Sequence, residues 1–272
     1  MTDALRFIQV GELAKGISEG TLPLDGRLDG AGLTLQGEDG AVTRLSFAAA
    51  GRLLWEVTDG PAAGARGEEE CRVTRPREDV VVVDYVSASL RAAAVTIVLD
   101  LAAAAATTVT GTLPTREQAA RGAYELATAG EELTSVAVTF ERAAIDRPFA
   151  AARHPHVPTA DLVGKRVEYV YSATEKYEHI YLNEDLYTWQ CLEGSEKGLA
   201  DTDRCHYRRI ADELYLFVWR EKIVPTLGVV LVDWRAKVSN GKLFGYEGSD
   251  FGAVSVTPIS SQARLLNVTS YT

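Results

Sequence analysis

The sequence contains few of the residues that build metal centres and disulfide frameworks. Its 272 residues include four histidines and three cysteines, Cys71, Cys191 and Cys205. An odd number of cysteines without metal-type spacing is typical of a reduced, cytoplasmic protein. No P-loop, nucleophile elbow, CxxC motif or dinucleotide fingerprint in a strand–helix context is present. We therefore expect no metal and no cofactor.

Long apolar runs and basic clusters are also absent. No segment approaches the roughly 20 apolar residues that span a bilayer, and the N-terminus MTDALRFIQVGELAKG lacks the features of a signal peptide. The formal net charge is −10 and the pI is about 5.0, so neither nucleic acid nor an anionic membrane is an expected partner. We expect a small-molecule ligand or substrate, and the composition is compatible with a homodimer.

Aromatic and other side chains alternate through residues 164–248. Side chains in a strand point to opposite faces with period two, so this region predicts strands with aromatic faces. Three such faces stand out: Tyr169 and Tyr171; Tyr177, His179 and Tyr181; and Tyr215, Phe217, Trp219 and Glu221. The third face ends in a carboxylate, which is costly to ionise among aromatic rings unless it has partners.

The same pattern occurs twice in the chain. Three pairs of identical residues are each 134 positions apart: Trp55 and Trp189, Cys71 and Cys205, Gly111 and Gly245. The segments around them are also alike, as GRLLWE and DLYTWQ illustrate. Three matches at one offset indicate an internal duplication. We predict an N-terminal domain at 1–146, a proline-rich linker at 147–158 and a C-terminal domain at 159–272.

Short strands separated by turn signals predict an all-β, antiparallel fold. In the first copy the predicted strands are 32–36, 43–47, 52–58, 70–74, 79–87, 94–101 and 134–142. The alanine-rich run 92–106 would suit a helix by propensity, but its β-branched residues and its alignment with TLGVVLVDWRAK favour a strand. A capping-box pattern at Thr115 and Gln118 predicts a helix from 116 to about 129. A copy of about 120 residues suits a small barrel.

Several segments make the family resemblance specific. LVGKRVEYVYS, YEHIYLNEDLYTWQC, GLADTDRCHY and LYLFVWREKIVPTLGVVLVDW resemble the molybdenum cofactor biosynthesis F (MoaF-like) family, and FIQVGELAKG fits its N-terminal domain. The C-terminal half carries the stronger likeness. The resemblance implies two lipocalin-like (calycin) barrels in tandem, and it leaves the reaction open because the family name records gene context.

A more distant resemblance concerns the cofactor-independent phenolic acid decarboxylases, which are also lipocalin-like. The matching residues are Gly164, Tyr169, Tyr171, Tyr177, Tyr181, Trp219, Glu221, Pro225 and Thr226. By resemblance, Tyr169 and Tyr171 would anchor the substrate and Glu221 would be the general acid. Those enzymes carry an arginine upstream of the glutamate, whereas the corresponding region here has only Lys197. The likeness therefore supports a small polar aromatic or unsaturated ligand better than a carboxylate.

Each candidate residue also has a structural interpretation. Tyr169 and Tyr171 could pack in a half-buried strand with their hydroxyls wet, and Glu221 could pair with a neighbouring cation at the barrel rim. His179 could be a hydrogen-bonded core residue. His154 and His156, in the linker, are expected to be solvated. Asp201 and Asp203 have no metal-type neighbours, so we place them in a turn or at a rim.

The duplication assigns the site to the second copy. The positions that match Tyr169, Tyr171 and Glu221 in the first copy are Leu35, Gly37 and Ser87. We therefore expect the N-terminal barrel to be filled by side chains or to lack a polar floor. The C-terminal barrel is expected to hold a cavity lined by Tyr169, Tyr171, His179, Trp219 and Glu221, with Tyr177, Tyr181 and Lys197 as further binding residues.

Two functions of different class fit this prediction. The first is a cofactor-independent lyase or isomerase, decarboxylase-like, that acts on a small unsaturated or aromatic molecule, with Glu221 as general acid or base. The second is a non-catalytic lipocalin-type carrier of a small ligand, connected with molybdenum cofactor biosynthesis or a specialised metabolic pathway.

Overall fold

The computed structural model describes residues 6–270, except for the side chains of Ala14 and Lys15. The chain divides into two compact units. One comprises Leu22–Thr112 and Val138–Val157; the other comprises the segment that ends at Thr21 together with Leu113–Ala137 and Pro158–Thr272. Each unit contains one closed, eight-stranded antiparallel barrel, as the sequence predicts. The linker role of residues 147–158 stays a prediction.

The N-terminal barrel is built from eight strands in sequential order. They are β1 (Gly32–Gly37), β2 (Val42–Ala48), β3 (Arg52–Asp59), β4 (Arg66–Arg77), β5 (Val80–Val86), β6 (Ala93–Asp100), β7 (Ala105–Thr112) and β8 (Ala137–Ile145). The first and last strands pair and close the barrel, with Leu35 opposite Ile145. Both residues lie in a core with Leu45, Leu53 and Ile97. A 3-10 helix, Ala151–Arg153, follows β8.

The C-terminal barrel begins after a two-residue strand, β9 (Val157–Pro158). Its strands are β10 (Lys165–Val170), β11 (Lys176–Tyr181), β12 (Leu186–Glu193), β13 (Ala200–Ala211), β14 (Leu214–Glu221), β15 (Thr226–Asp233), β16 (Val238–Tyr246) and β17 (Val254–Val268). Pairing of β10 with β17 and of β12 with β13 closes the ring.

Three short helices belong to the same unit as the C-terminal barrel: α1 (Val10–Ile17), α2 (Arg116–Ala119) and α3 (Ala123–Thr128). The predicted single helix at 116–129 is therefore wrong, since Gly122 caps a second helix. Helix α1 packs against β16 and β17. Close approach requires small residues there: an added Cβ on Gly245 would overlap Val10, and one on Gly16 would reach the Glu175 side chain. None of the helices in the described part is long and apolar enough to cross a membrane.

The internal duplication extends to the strand boundaries. Shifting β3 and β4 by 134 positions gives the limits of β12 and β13 at both ends. The correspondence slips by one residue at β15 and is lost at β17, which is much longer than β8. The alanine-rich run is a strand, β6, in agreement with the β-branched residues. The following strand, β7, is not among the strands predicted from the sequence.

The two histidines expected to be solvated are buried, so that expectation is wrong. His154 is 7% exposed and His156 is fully buried. His154 Nε2 lies 3.0 Å from the Ala143 carbonyl oxygen, and His156 Nδ1 lies 2.9 Å from Thr107 Oγ1. Burial lowers the pKa of His154. The segment after β8 thus packs within its own unit.

Candidate functional site

A small cavity lies inside the C-terminal barrel and measures about 50 Å³. Five of the predicted site residues face it: Tyr171, Tyr177, His179, Trp219 and Glu221. Helix α1 forms part of its wall through Leu13 and Ile17. The rest of the lining is contributed by Tyr187, Trp189, Glu196, Leu243 and Ile259. The cavity is therefore mostly aromatic and aliphatic, with two carboxyl groups.

Glu221 is the last residue of β14, and its carboxyl group is held in place by a neighbour on the same strand face. Trp219 Nε1 donates a hydrogen bond of 2.9 Å to Glu221 Oε1. Burial raises the pKa of Glu221 well above the usual value, and the negative charge of Asp203 raises it further. Glu221 nevertheless keeps some accessible surface, as a group that lines a cavity should. Both effects favour the protonated form of this carboxyl group.

Asp203 lies in the middle of β13 and not in a turn or at a rim, so that part of the sequence interpretation is wrong. It is 2% exposed. Trp189 Nε1 donates to Asp203 Oδ2 at 3.0 Å, and the Lys222 backbone N–H donates to Oδ1 at 3.1 Å. The Lys222 ammonium also pairs with Asp201. Burial nevertheless outweighs the nearby cation and raises the pKa of Asp203 to about 6.

Glu196 is the second carboxyl group that faces the cavity. The Tyr177 hydroxyl donates to Glu196 Oε2 at 3.1 Å, and the Ile8 backbone N–H donates to Oε1 at 3.2 Å. The hydrogen bond from Tyr177 connects β11 to the turn after β12. The hydrogen bond from Ile8 fixes the position of the segment before α1. Burial raises the pKa of Glu196 above its usual value. Because both oxygens accept a hydrogen bond, we assign Glu196 a positioning role.

His179 sits deep in a cluster of aromatic rings. Its ring centroid is 4.6 Å from that of Tyr169 and 5.2 Å from that of Tyr187. Nδ1 is buried and has no hydrogen-bond partner among residues 6–270. Burial lowers the pKa of His179 to about 3, so the imidazole is neutral under physiological conditions and cannot serve as a cation for an anionic ligand.

The remaining predicted site residues do not line the cavity. Tyr169 and Tyr181 are buried and point their hydroxyl groups at each other, with the two oxygens 2.6 Å apart. This pair lies behind His179, whose ring contacts both tyrosines. Lys197 is exposed in the turn that follows β12. Of the two tyrosines proposed as anchors, only Tyr171 has direct access to the cavity.

The N-terminal barrel is not filled by side chains, and the expectation of close packing there is wrong. It encloses a cavity of about 480 Å³. The reason lies in the residues that match the aromatic filling of the other barrel. Leu35, Gly37, Thr43 and Leu45 stand 134 positions before Tyr169, Tyr171, Tyr177 and His179. Four small or aliphatic residues replace four rings, which leaves room inside the first barrel.

A hydrogen-bonded group recurs in both barrels at the same offset. Trp55 Nε1 donates to Glu69 Oε1 at 3.4 Å, and the Ala88 backbone N–H donates to Oε2 at 2.9 Å. The equivalents of these three residues, each 134 positions later, are Trp189, Asp203 and Lys222. Sequence reasoning missed this motif because it compared identical residues only. The available signal was that Glu69 and Asp203, both acidic, are separated by the same 134 positions as the two tryptophans.

No group of three or more histidine, cysteine or acidic side chains that could hold a metal ion occurs within the described residues.

The fold and the cavities define the class: two lipocalin-like barrels in tandem from an internal duplication. Residues 5–115 match the model of the MoaF N-terminal domain and residues 156–269 that of the MoaF C-terminal domain. The chain is 41% identical over 275 residues to Protein MoaF of Klebsiella aerogenes, and the alignment covers 100% of this chain and 99% of that protein. The chain belongs to the MoaF family.

Among solved structures, a putative beta-lactamase from Burkholderia vietnamiensis aligns with a TM-score of 0.32 and 19% sequence identity. The alignment covers 44% of this chain and 93% of that one. A likeness this weak bears on neither the fold nor the function.

Proposed function

We propose that the C-terminal barrel catalyses a cofactor-independent proton transfer, of the lyase or isomerase type, on a small unsaturated molecule. The observation that supports this proposal is the Glu221 carboxyl group. It faces the cavity, Trp219 Nε1 orients it, and burial keeps its pKa well above the usual value. A carboxyl group that holds its proton near neutral pH is a suitable general acid.

In this proposal Glu221 gives its proton to one carbon atom of the substrate double bond, and the resulting Glu221 carboxylate takes a proton from the adjacent allylic carbon, so that the double bond moves by one position and the acid is restored. The Tyr171 hydroxyl, which also faces the cavity, donates a hydrogen bond to a polar substituent. Neutral His179 and the surrounding rings shape the cavity and exclude water. Tyr169 and Tyr181 act indirectly, since their mutual hydrogen bond supports the ring of His179 from behind.

The charge of the lining favours an uncharged substrate. Neither lysine nor arginine faces this cavity in the described part of the chain, and its ionisable groups are Glu196, Glu221, His179 and tyrosines. An anion would therefore enter without a cationic partner, at a considerable desolvation cost. An enone or a similar conjugated carbonyl compound fits this lining better than a phenolic acid.

Substrate entry requires helix α1 to shift. The cavity of about 50 Å³ is smaller than the roughly 150 Å³ that holds benzene in an engineered protein cavity. Leu13 and Ile17 form the part of the wall that belongs to a short helix rather than to the barrel. Outward movement of α1 would enlarge the cavity without breaking any strand pairing.

Deuterium incorporation tests the proposal even while the substrate is unidentified. The full-length protein is incubated in D₂O with a panel of α,β- and β,γ-unsaturated ketones, and carbon-bound deuterium is measured by NMR and mass spectrometry. Glu221→Gln should lower the rate by roughly 10²–10⁴-fold with binding retained. The rate should be constant at low pH and fall as pH rises through the pKa of Glu221, because the protonated form is the active one.

Glu196→Gln provides the matched control, since it neutralises the other carboxyl group of the same cavity. It should retain most of the activity. If Glu196→Gln abolishes incorporation while Glu221→Gln preserves it, the assignment of the acid is wrong.

A non-catalytic carrier of small molecules is the second candidate, favoured by the predominance of aromatic and aliphatic lining residues. A carrier would bind members of the panel without incorporating deuterium, and Glu221→Gln would leave the affinity nearly unchanged.

A further inference from the structure

The cavity of the N-terminal barrel is a binding site in its own right by size and by lining. Its volume of about 480 Å³ lies within the range of roughly 300–1,000 Å³ that is common for small-molecule sites. It is almost ten times as large as the cavity that contains Glu221. None of the residues proposed for proton transfer contributes to it, so its occupant is independent of that function.

Strand alternation separates the lining into an apolar part and a polar part. Leu35, Thr43 and Val57 form a row across β1, β2 and β3, because each pairs with the next in the strand register. A second row crosses β5, β6 and β7 at Tyr85, Val95 and Thr110. The first row presents mainly hydrocarbon. The second presents two hydroxyl groups beside a valine.

Several polar groups in this cavity lack a protein partner. The hydroxyl groups of Tyr85 and Thr110 and the carboxylate of Glu141 make no hydrogen bond or ion pair with any residue in the described range. Glu141 points inward, because Ala143 and Ile145 on the same face of β8 belong to the barrel core. These groups are available to a ligand.

The ionisable side chains that face the cavity give it a negative character. Glu69, Glu141 and Tyr85 line the same cavity, and burial, with the negative charges of the two carboxylates, raises the pKa of the Tyr85 hydroxyl. The one arginine of the lining, Arg142, forms an ion pair with Glu38. A cation would meet two carboxylates and the face of the Trp55 indole, whereas an anion would meet no available positive charge.

From this combination we propose that the N-terminal barrel binds a small amphipathic molecule with an ammonium group. The hydrocarbon part lies against the row of Leu35, Thr43 and Val57, and the ammonium group lies between Glu141 and Glu69, near the Trp55 ring. The Tyr85 and Thr110 hydroxyls accept hydrogen bonds from its N–H groups. The MoaF C-terminal barrel lacks such a site because aromatic rings occupy the equivalent positions.

Three probes that share one skeleton test the ligand class: 4-phenylbutylamine, 4-phenylbutan-1-ol and 4-phenylbutyrate. Binding to the full-length protein is measured by isothermal titration calorimetry at pH 7.5 and at two salt concentrations. The amine should bind more tightly than the alcohol, and the carboxylate should bind least. Equal affinities, or tightest binding of the carboxylate, would overturn the proposal.

Two variants locate the site. Glu141→Gln should weaken binding of the amine by about tenfold and leave binding of the alcohol unchanged, as expected for loss of one charge-assisted contact. The substitution keeps the size of the side chain and removes no hydrogen bond or ion pair within the described part of the chain, so folding should be unaffected. Thr108→Phe places a ring inside the cavity and should abolish binding of both probes. If the amine binds equally well to both variants, the site lies elsewhere. Glu125→Gln serves as the control, since it neutralises an exposed carboxylate on α3 that lines neither cavity, and it should bind all three probes like the wild type.

Discussion

Replacement of Asp203 by asparagine should change the pH dependence of stability in a direction opposite to that of an ordinary ion pair. Asp203 lies near the Lys222 ammonium, with Oδ1 and Nζ 3.5 Å apart. A carboxylate stabilised mainly by such a cation has a lowered pKa in the folded state and stabilises the protein more as pH rises. In this barrel burial dominates instead, and the pKa of Asp203 is raised from 3.8 to about 6.

The sign follows from proton binding. Between pH 3.8 and about 6 the folded state binds more protons at Asp203 than the unfolded state does. Stability therefore falls as pH rises through this window and is level above it. A shift of about two pKa units corresponds to about 3 kcal/mol at 1.36 kcal/mol per unit. The raised pKa of neighbouring Glu221 adds a fall in stability of the same sign as pH rises.

Asparagine keeps one acceptor and removes the ionisation. At pH 4.5 Asp203→Asn should destabilise the protein by about 1–3 kcal/mol, since one buried donor loses its acceptor. At pH 7.5 the destabilisation should be about 3 kcal/mol smaller, so that the variant is about as stable as the wild type or more stable. The measurement is the difference in urea-unfolding free energy between the two proteins at pH 4.5, 6 and 7.5, in which the titrating groups that do not interact with Asp203 cancel.

Lys222→Met is the matched control, because it should strengthen the pH dependence that Asp203→Asn removes. Removal of the ammonium eliminates the charge that lowers the pKa of Asp203, so the fall in stability should extend to higher pH. The reasoning is refuted if the destabilisation by Asp203→Asn grows with pH, since the lysine would then outweigh burial.

The remaining predictions concern packing in the C-terminal barrel. Gly228→Ala would place a Cβ in the Trp219 ring, and it should cost about 1–3 kcal/mol and lower the melting temperature in a calorimetric scan. Tyr169→Phe and Tyr181→Phe should each cost about 1–3 kcal/mol because each leaves a buried hydroxyl unpaired; the double variant should cost less than the sum in urea unfolding. His179→Phe should change the unfolding free energy by less than about 1 kcal/mol, since the buried Nδ1 has no partner to lose.

The architecture was predictable because hydrophobic alternation and the internal repeat can both be recognised from the sequence without knowledge of which residues meet in space. Trp55 and Trp189 mark equivalent positions, and the strands that contain them, β3 and β12, have the same limits after a shift of 134. Strand β7 escaped prediction because its sequence AATTVTGT has no apolar–polar alternation. The helical segment split at Gly122, where a glycine within a short helical pattern is a weak signal for a new cap.

The site was less predictable because it depends on neighbours that are distant in sequence. The Tyr169 hydroxyl points at Tyr181 rather than at the cavity, and strand alternation alone cannot distinguish the two orientations. Asp203 looked like a turn residue because its partners are distant in sequence: Trp189 lies on β12, and Lys222 lies in the turn after β14. Leu13 and Ile17 line the cavity from α1, a helix that lies outside the barrel repeat.

The two barrels show how one repeated framework can hold two different interiors. The same hydrogen-bonded group fixes the framework in both copies. In each, a tryptophan donates to a carboxylate that also accepts a hydrogen bond from a backbone N–H, and the two groups are 134 positions apart. The residues that set the interior differ: Thr43 and Leu45 in one copy stand at the positions of Tyr177 and His179 in the other. The exchange of small side chains for rings reduces the cavity from about 480 to about 50 Å³. It also buries the carboxyl group at 221, where Ser87 stands in the first copy. The aromatic filling that makes the C-terminal cavity small is therefore the same feature that raises the pKa of Glu221, because the rings exclude the water that would otherwise solvate its charge.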